Sequence, residues 1–227
     1  MKTTFRILLA IMVGFAFTMA TGCATKPKMH QTGFLKDYSR LKEDPKGFVQ
    51  WTYFKKDGVD FGAYDKIIVD YITFFFKEDA KYKGIHPEEL IEVAQYFNNA
   101  YVEALSGAYS FTDKPGPGVL RLRTAITDLV PGKPVSGTMS SIMPPALIAS
   151  HIKKATTGSH IGMGQLSGEA ELIDSQTGEI LAQAIDTEMG KKYKLGKSFT
   201  KWGQVKGITK DWAESFRKRL DKVSGRE

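Results

Sequence analysis

Two acidic side chains on one predicted strand form the pattern in this sequence that most resembles a catalytic pair. Glu169 and Glu171 alternate with apolar residues, so they project from one strand face about 7 Å apart. Two carboxyl groups at such a distance can act as the acid and the base of a glycosidase. Arg121 and Arg123 share this spacing on another predicted strand, and cross-strand ion pairs would neutralise all four side chains. We expect ion pairs, because nothing provides the unequal environments that an acid and a base need.

Four histidines are the other candidate chemical groups, and none has the neighbours that a metal or catalytic site needs. His30 precedes the domain, His86 lies at a predicted helix start, and His151 and His160 fall in a Gly-rich stretch. No cysteine or acidic cluster accompanies them at ligand spacing. Ser150 beside His151 is not a catalytic pair, because sequence neighbours seldom face each other, and no nucleotide-binding or hydrolase motif occurs. The sequence therefore predicts no catalytic residue, no cofactor and no metal site.

The start of the chain predicts export and lipid attachment. Lys2 and Arg6 precede an apolar run from Leu8 to Phe17, and small residues follow it directly before Cys23, the only cysteine. This order is that of a lipoprotein signal peptide, residues 1–22, which a peptidase removes in front of the cysteine. Cys23 would then carry acyl chains on its sulfur and its amino group. Two or more acyl chains make a stable membrane anchor.

Two other interpretations of this start are a secretory signal and a single membrane span. The apolar run is short for a span, and a lone cysteine at this position favours lipidation. Ala24, rather than Asp, follows the cysteine, which favours the outer membrane of a Gram-negative cell, with the protein facing the periplasm. Residues 23–33 are then a lipidated tether, and the membrane is one predicted partner.

Composition limits the mature chain, 23–227, to one domain and excludes some partners. Removal of Lys2 and Arg6 with the signal leaves 30 basic residues against 25 acidic ones, a net charge of about +5. The basic residues are dispersed, and nucleic acid is not an expected partner of an exported chain. With its cysteine acylated, the domain forms no disulfide and depends on packing for stability.

Apolar patterns predict about five strands, at residues 50–55, 64–76, 119–130, 165–174 and 179–186. The second has apolar residues on both faces, which indicates a central strand covered on both sides. Gln165, Glu169 and Glu171 are predicted to face outward. Asp174 to Gly178 has the composition of a tight hairpin loop.

Two amphipathic helices accompany these strands. Pro87 with two following glutamates favours a helix start, and Gly107 favours its end. The second helix is predicted over residues 200–223, with Trp212 and Phe216 packed on the sheet, and residues 34–41 suggest a short helical turn. The order predicts a single α+β domain, residues 34–227, with an antiparallel or mixed sheet and both helices on one face.

Four stretches carry a resemblance to a known family: residues 32–39, 115–123, 155–158 and 168–179. The last reads Gly-Glu-Ala-Glu-Leu-Ile-Asp-Ser-Gln-Thr-Gly-Glu and is the most specific. Together they resemble a family of bacterial envelope lipoproteins known only as a domain of unknown function. The resemblance implies a location and a family, and it carries over no catalytic residue.

An uncharged segment in residues 134–152 is the predicted contact region. No charged residue occurs between Lys133 and Lys153, and Pro144-Pro145 excludes a regular membrane span. Its apolar residues include Ile142, Met143, Leu147, Ile148 and Ile152. Two roles stay open: the segment covers the sheet, or it meets a partner or the membrane.

Two functional classes follow from these patterns. The first is a lipid-anchored, non-catalytic interaction or accessory module of an envelope assembly or transport system, with an envelope protein as partner. The second is an envelope hydrolase with an unrecognised site. We expect the first, because no nucleophile, base and orienting group converge in the sequence. A pocket lined by titratable groups with shifted pKa values would favour the hydrolase.

Overall fold

The computed structural model describes residues 29, 31–47, 49–55, 58–76, 85–132, 164–189 and 200–226. Two α-helices and eight strands occur in this part of the chain. The helices are α1, Pro87–Leu105, and α2, Gly203–Ser224. The strands are β1 (Lys42–Glu43), β2 (Trp51–Phe54), β3 (Lys66–Val69), β4 (Thr73–Phe74), β5 (Ser110–Phe111), β6 (Val119–Val130), β7 (Gln165–Asp174) and β8 (Ile180–Met189). A 3₁₀ turn, Phe61–Ala63, precedes β3.

The strands form one mixed sheet in the order β1-β2-β8-β7-β6-β3-β5, with β4 also paired to β6. The three long strands β6, β7 and β8 are antiparallel, whereas β3 and β4 run parallel to β6. The β7–β8 hairpin forms as predicted. The Asp174 side chain accepts hydrogen bonds from the Gln176 and Thr177 N–H groups, and Gly178 takes the left-handed conformation that closes the turn.

The α+β class, the mixed sheet and the two helices are confirmed, but the strand number and one position are wrong. The structure has eight strands rather than five. The predicted central strand 64–76 divides into β3 and β4, which lie towards one side of the sheet. The ladder is interrupted between them because the Ile72 N–H donates to the Asn98 side chain on α1, 3.2 Å away. The region 34–41 contains bends and a turn rather than a helix.

Both helices contribute to one hydrophobic core with the sheet. Phe97 and Leu105 of α1 and Val205 and Leu220 of α2 are buried there. On the sheet side the same core contains four residues of β6: Leu120, Leu122, Ile126 and Leu129. Apolar residues that recur every three to four positions on the helices therefore pack against apolar residues of the strand. The apolar periods of the sequence predict this interface.

The opposite face of the sheet is buried as well, which corrects a second prediction. Gln165, Glu169 and Glu171 were expected to face solvent, yet their exposed fractions are 8%, 2% and 2%. The N-terminal segment, residues 31–41, supplies hydrogen-bonding partners for Glu169 on this face. The alternation of polar and apolar residues correctly predicted which residues share a face. It could not predict that a segment distant in sequence covers that face.

Truncation of the core aromatic Phe97 tests this packing. Phe97 is 4% exposed and stacks on Tyr101 with ring centroids 4.8 Å apart. Phe97→Ala should lower the free energy of unfolding by about 3–5 kcal/mol, because it opens a cavity and removes buried apolar area. Ile91→Ala, at a position of α1 that is 58% exposed, is the matched control and should change it by less than about 0.5 kcal/mol. Equal effects in urea denaturation would contradict the assigned helix face.

Candidate functional site

A cavity of about 520 Å³ lies between α2 and the middle of the sheet. Its floor is made by β6, β7 and β8, and its walls by α1, α2 and the loop that precedes β2. The described lining residues combine aromatic side chains, small side chains and a rim of charged groups. This volume falls in the range of ligand-binding pockets in proteins.

The floor is open because small residues occupy the centre of the sheet. Thr124, Ala170 and Ala184 lie side by side across the three long strands. On the same face of β7, Leu166 and Leu172 lie towards the two ends and are buried in the core. Large residues at the ends and small ones in the middle leave the space that α2 does not fill.

A glycine lets α2 approach this floor at one point. An ideal Cβ at Gly168 would lie 3.1 Å from Trp212 Cζ3 and 3.1 Å from the carbonyl oxygen of Ala125. The Trp212 indole therefore rests against β7 backbone that has no side chain. This contact explains why a glycine stands in the interior of an otherwise regular strand.

Asp186 is the buried carboxyl group of the cavity. Its Oδ2 accepts a hydrogen bond from Trp212 Nε1 at 2.9 Å, and its Oδ1 accepts one from the Gln50 N–H at 3.2 Å. Loss of hydration raises the pKa of Asp186 above its ordinary value, against the opposing effect of these donors and of Arg219. Asp186 thus links β8 to α2 and to the segment before β2.

The wall opposite β8 is aromatic. Phe97 and Tyr101 of α1 stack, and the Phe216 ring of α2 lies 6.0 Å from Tyr101 between centroids. Burial, with a smaller contribution from Asp186, raises the pKa of the Tyr101 phenol, so this side chain stays neutral. Such a wall favours a flat apolar group in the cavity.

The charged side chains that line the cavity carry more negative than positive charge. Besides Glu169, whose carboxylate is bound by Thr32 and Tyr38, four are carboxylates and two are basic: Asp186, Glu188, Asp211, Glu214, Lys218 and Arg219. Arg219 Nη2 also lies 3.9 Å from Asp44 Oδ2. The local balance is opposite in sign to the net charge of the whole chain, +7.

The predicted ion pairs of the opposite face form only in part. Arg123 Nη1 contacts Glu171 Oε1, as expected. Arg121 instead pairs with Asp70, with Nε and Oδ2 2.9 Å apart, because its cross-strand neighbour is Ile173. The sequence pattern gave the spacing of the two arginines but not the register of the strands.

Glu169 takes its partners from the N-terminal segment rather than from an arginine. It accepts hydrogen bonds from Thr32 Oγ1 at 2.9 Å and Tyr38 Oη at 2.7 Å. The same Tyr38 oxygen accepts the N–H groups of Gly33 and Leu35. These contacts give Glu169 a structural role and fix the chain from Thr32 onward.

A family model described as "Protein of unknown function (DUF3313)" matches residues 30–216. The chain belongs to this family. The match confirms the predicted membership of a domain of unknown function, and the family description names no activity. It includes all eight described strands and the site residues Gly168, Asp186 and Trp212.

Two solved structures are similar to this DUF3313 chain at low identity. A PelC point variant from Paraburkholderia phytofirmans, a dodecamer, is 13% identical with a TM-score of 0.36, over 76% of this chain and 93% of PelC. A Helicobacter pylori protein provisionally described as a neuraminyllactose-binding hemagglutinin homolog is 11% identical with a TM-score of 0.31, over 77% and 97%. At these scores the similarity supports no functional argument. No curated protein matches the chain.

Several predicted sites of this DUF3313 chain lie outside the described residues. They are the lipidation site Cys23 and the contact segment with Ile142, Met143, Leu147, Ile148 and Ile152. The same is true of His30, Ser150, His151 and His160, for which the sequence predicts no site. His86 is described and precedes α1. Within the described ranges, no group of three or more metal-ligating side chains occurs, and no helix has the length and apolar character to cross a membrane.

The prediction for the last helix is confirmed for Trp212 and refined for Phe216, which contacts α1. Asp186 and the small residues of the cavity floor were not predicted from the sequence. One usable signal was Gly168, a glycine inside a strand pattern, which indicates a close approach of another group. The alanines carried no signal, because a small residue in a strand does not reveal whether a neighbour fills the space.

Substitution of Gly168 tests the contact that limits the approach of α2. In Gly168→Ala the new methyl group would collide with Trp212 and with the Ala125 carbonyl. Such overpacking should lower the free energy of unfolding by about 1–3 kcal/mol and alter the near-UV circular dichroism of tryptophan. Gly207→Ala in α2, where a Cβ meets open space, is the control and should raise stability by about 0.5–1 kcal/mol. A neutral Gly168→Ala would show that the indole does not rest on this strand.

The raised pKa of Asp186 predicts a pH dependence of stability. Since the folded state holds this proton more tightly than the unfolded state, Asp186 favours folding at low pH. Its contribution declines as pH rises from the ordinary value of 3.8 through the raised pKa. Asp186→Asn cannot ionise, so the stability of the natural protein relative to this variant should fall across that window. Denaturation of both proteins at a series of pH values measures the difference, and a constant or rising difference would contradict the assignment.

Proposed function

We propose that the protein is a lipid-anchored, non-catalytic module of the bacterial cell envelope that holds an apolar group of a partner in the cavity beneath Trp212. The cavity is the observation that carries the proposal. The signal-like start and Cys23 support attachment to the outer membrane on its periplasmic side. In this role the protein is an accessory component of an envelope assembly or transport system.

The shape and charge of the cavity define the partner it would accept. The small floor residues Thr124, Ala170 and Ala184 and the aromatic wall suit a flat apolar side chain or a short aliphatic chain. The excess of carboxylates at the rim favours basic residues around that apolar anchor. We therefore infer an envelope protein that presents an aromatic or aliphatic residue flanked by lysine or arginine.

One observation favours the alternative, an envelope hydrolase. Asp186 is a carboxyl group with a raised pKa in a cavity, which is a property of many general acids. However, both of its oxygens already accept hydrogen bonds from Gln50 and Trp212. The described cavity lining also contains no histidine or cysteine. These features support a structural carboxyl group and a binding site.

Cross-linking in cells tests the binding role and can identify the partner. A photoreactive amino acid at the exposed rim position Lys218 should cross-link the partner, whereas the same group at the exposed position Glu103 of α1 should not. Ala184→Leu should abolish the Lys218 cross-link, because the leucine side chain occupies the cavity. Since the cavity of about 520 Å³ has room for it, the free energy of unfolding should stay within about 1 kcal/mol of the parent.

Ala63→Leu, at an exposed position of the 3₁₀ turn, controls for the added side chain and should keep the cross-link. A Lys218 cross-link that persists in a folded Ala184→Leu protein would refute the cavity as the binding site. Turnover of the bound molecule that disappears in Asp186→Asn, with binding retained, would favour the hydrolase instead.

A further inference from the structure

Three exposed aromatic residues flank β4 in the sequence. Tyr71 is 83% exposed, and Phe75 and Phe76 are each 39% exposed. We call these three residues the aromatic edge. Among the described strands β4 pairs only with β6, so the other side of β4 has no strand partner there. An exposed apolar edge on a sheet is unfavourable in water unless something covers it.

The N-terminal segment reaches the domain next to this edge. Phe34 packs against Phe75 with ring centroids 6.2 Å apart, and an ideal Cβ at Gly33 would lie 3.9 Å from Phe75 Cε1. Arg123 lies beneath the Phe34 ring at 5.2 Å. Thr32, bound to Glu169, is the first residue of the chain with a described side-chain contact to the sheet. The docked segment therefore starts beside the aromatic edge.

The length of chain before Thr32 limits how far this edge lies from the proposed anchor. Eight residues lie between Cys23 and Thr32, which makes nine steps along the chain, and an extended chain spans about 3.3–3.6 Å per residue, so the reach is at most about 32 Å. With the acyl chains of Cys23 in a leaflet, Thr32 and the neighbouring aromatic edge are within reach of that leaflet. This step rests on the lipid anchor of the proposed function.

Charge and side-chain type agree with a lipid surface as the occupant. Lys26, Lys28 and Lys36 lie in the stretch from Cys23 to Lys36, which contains no acidic residue. Lysines next to a membrane are attracted to anionic lipids. Tyrosine is enriched where a membrane protein meets the lipid headgroups, because its ring is apolar and its hydroxyl is polar.

We propose that the aromatic edge, Tyr71, Phe75 and Phe76, is a second membrane contact that lies against the leaflet in which the Cys23 lipid is inserted. The lipid supplies attachment, and the aromatic edge supplies orientation. A domain held at two points presents one fixed side to the periplasm, whereas a domain on a tether alone would rotate freely.

The single cysteine of the chain permits a direct test. Once Cys23 is acylated, a cysteine introduced as Tyr71→Cys is the only free thiol, and so is one introduced as Val102→Cys on α1, a position 40% exposed. Each full-length processed protein would carry a nitroxide label and be reconstituted in vesicles of phosphatidylethanolamine and phosphatidylglycerol. Relative to detergent, the label at position 71 should lose contact with a water-soluble nickel chelate and gain contact with oxygen dissolved in lipid. The label at position 102 should not change.

A second measurement removes the anchor. The mature chain, residues 23–227, with Cys23→Ser should associate with the same vesicles in flotation. Tyr71→Ser with Phe75→Ser should weaken that association about tenfold or more, since two aromatic side chains no longer leave water. Ile91→Ser with Val102→Ser, at exposed positions of α1, is the matched control and should leave it unchanged.

The outcomes separate this proposal from the lipid anchor. Acyl mass on Cys23, measured by mass spectrometry, tests the anchor alone, and an unmodified Cys23 would overturn it. A label at position 71 that stays accessible to the nickel chelate, together with unchanged flotation of the double variant, would overturn the membrane contact. Protection of position 71 that depends on protein density, with spin coupling between labels, would assign the edge to a second copy and also overturn it.

Discussion

The contact between the Trp212 indole and the bare backbone of Gly168 sets how closely α2 can approach the sheet. At this point helix and strand touch, because no side chain separates them. Beside it, the row Thr124–Ala170–Ala184 is too small to reach the helix, and a cavity of about 520 Å³ remains. Native interiors are normally packed to high density. A gap of this size at the centre of a sheet therefore requires both the contact that stops the helix and a row of side chains too small to fill the space beside it.

The burial of polar groups on the other face imposes a second constraint. Glu169 and Glu171 are each 2% exposed, and a buried carboxylate without donors is costly. Arg123 satisfies Glu171, while Thr32 and Tyr38 satisfy Glu169. The segment around Thr32 is therefore held on the folded domain, although the sequence predicts a tether for residues 23–33.

Local patterns predicted the parts of this fold that depend on neighbours in sequence. Turn composition predicted the β7–β8 hairpin, and the acidic residues at the positive end of the helix dipole predicted the helix after Pro87. The spacing of apolar residues predicted the buried stripe of α2. The break between β3 and β4 did not follow, because it depends on a hydrogen bond from Ile72 to Asn98 on a distant helix. The candidate site could not be predicted for the same reason. Asp186 and Trp212 are far apart in sequence, and alanines in a strand indicate a cavity only when the position of the opposite helix is known.

Strand β7 connects the two faces and relates the cavity to the anchor. Gly168 and Glu169 are neighbours, yet Gly168 meets Trp212 on one face and Glu169 holds Thr32 on the other. Successive residues of a strand point to opposite sides, so the docked N-terminal segment and the cavity lie on opposite faces of the sheet. In the proposed role, a partner would therefore meet the rim of charged residues on α2 and β8 on the face that the docked segment does not occupy.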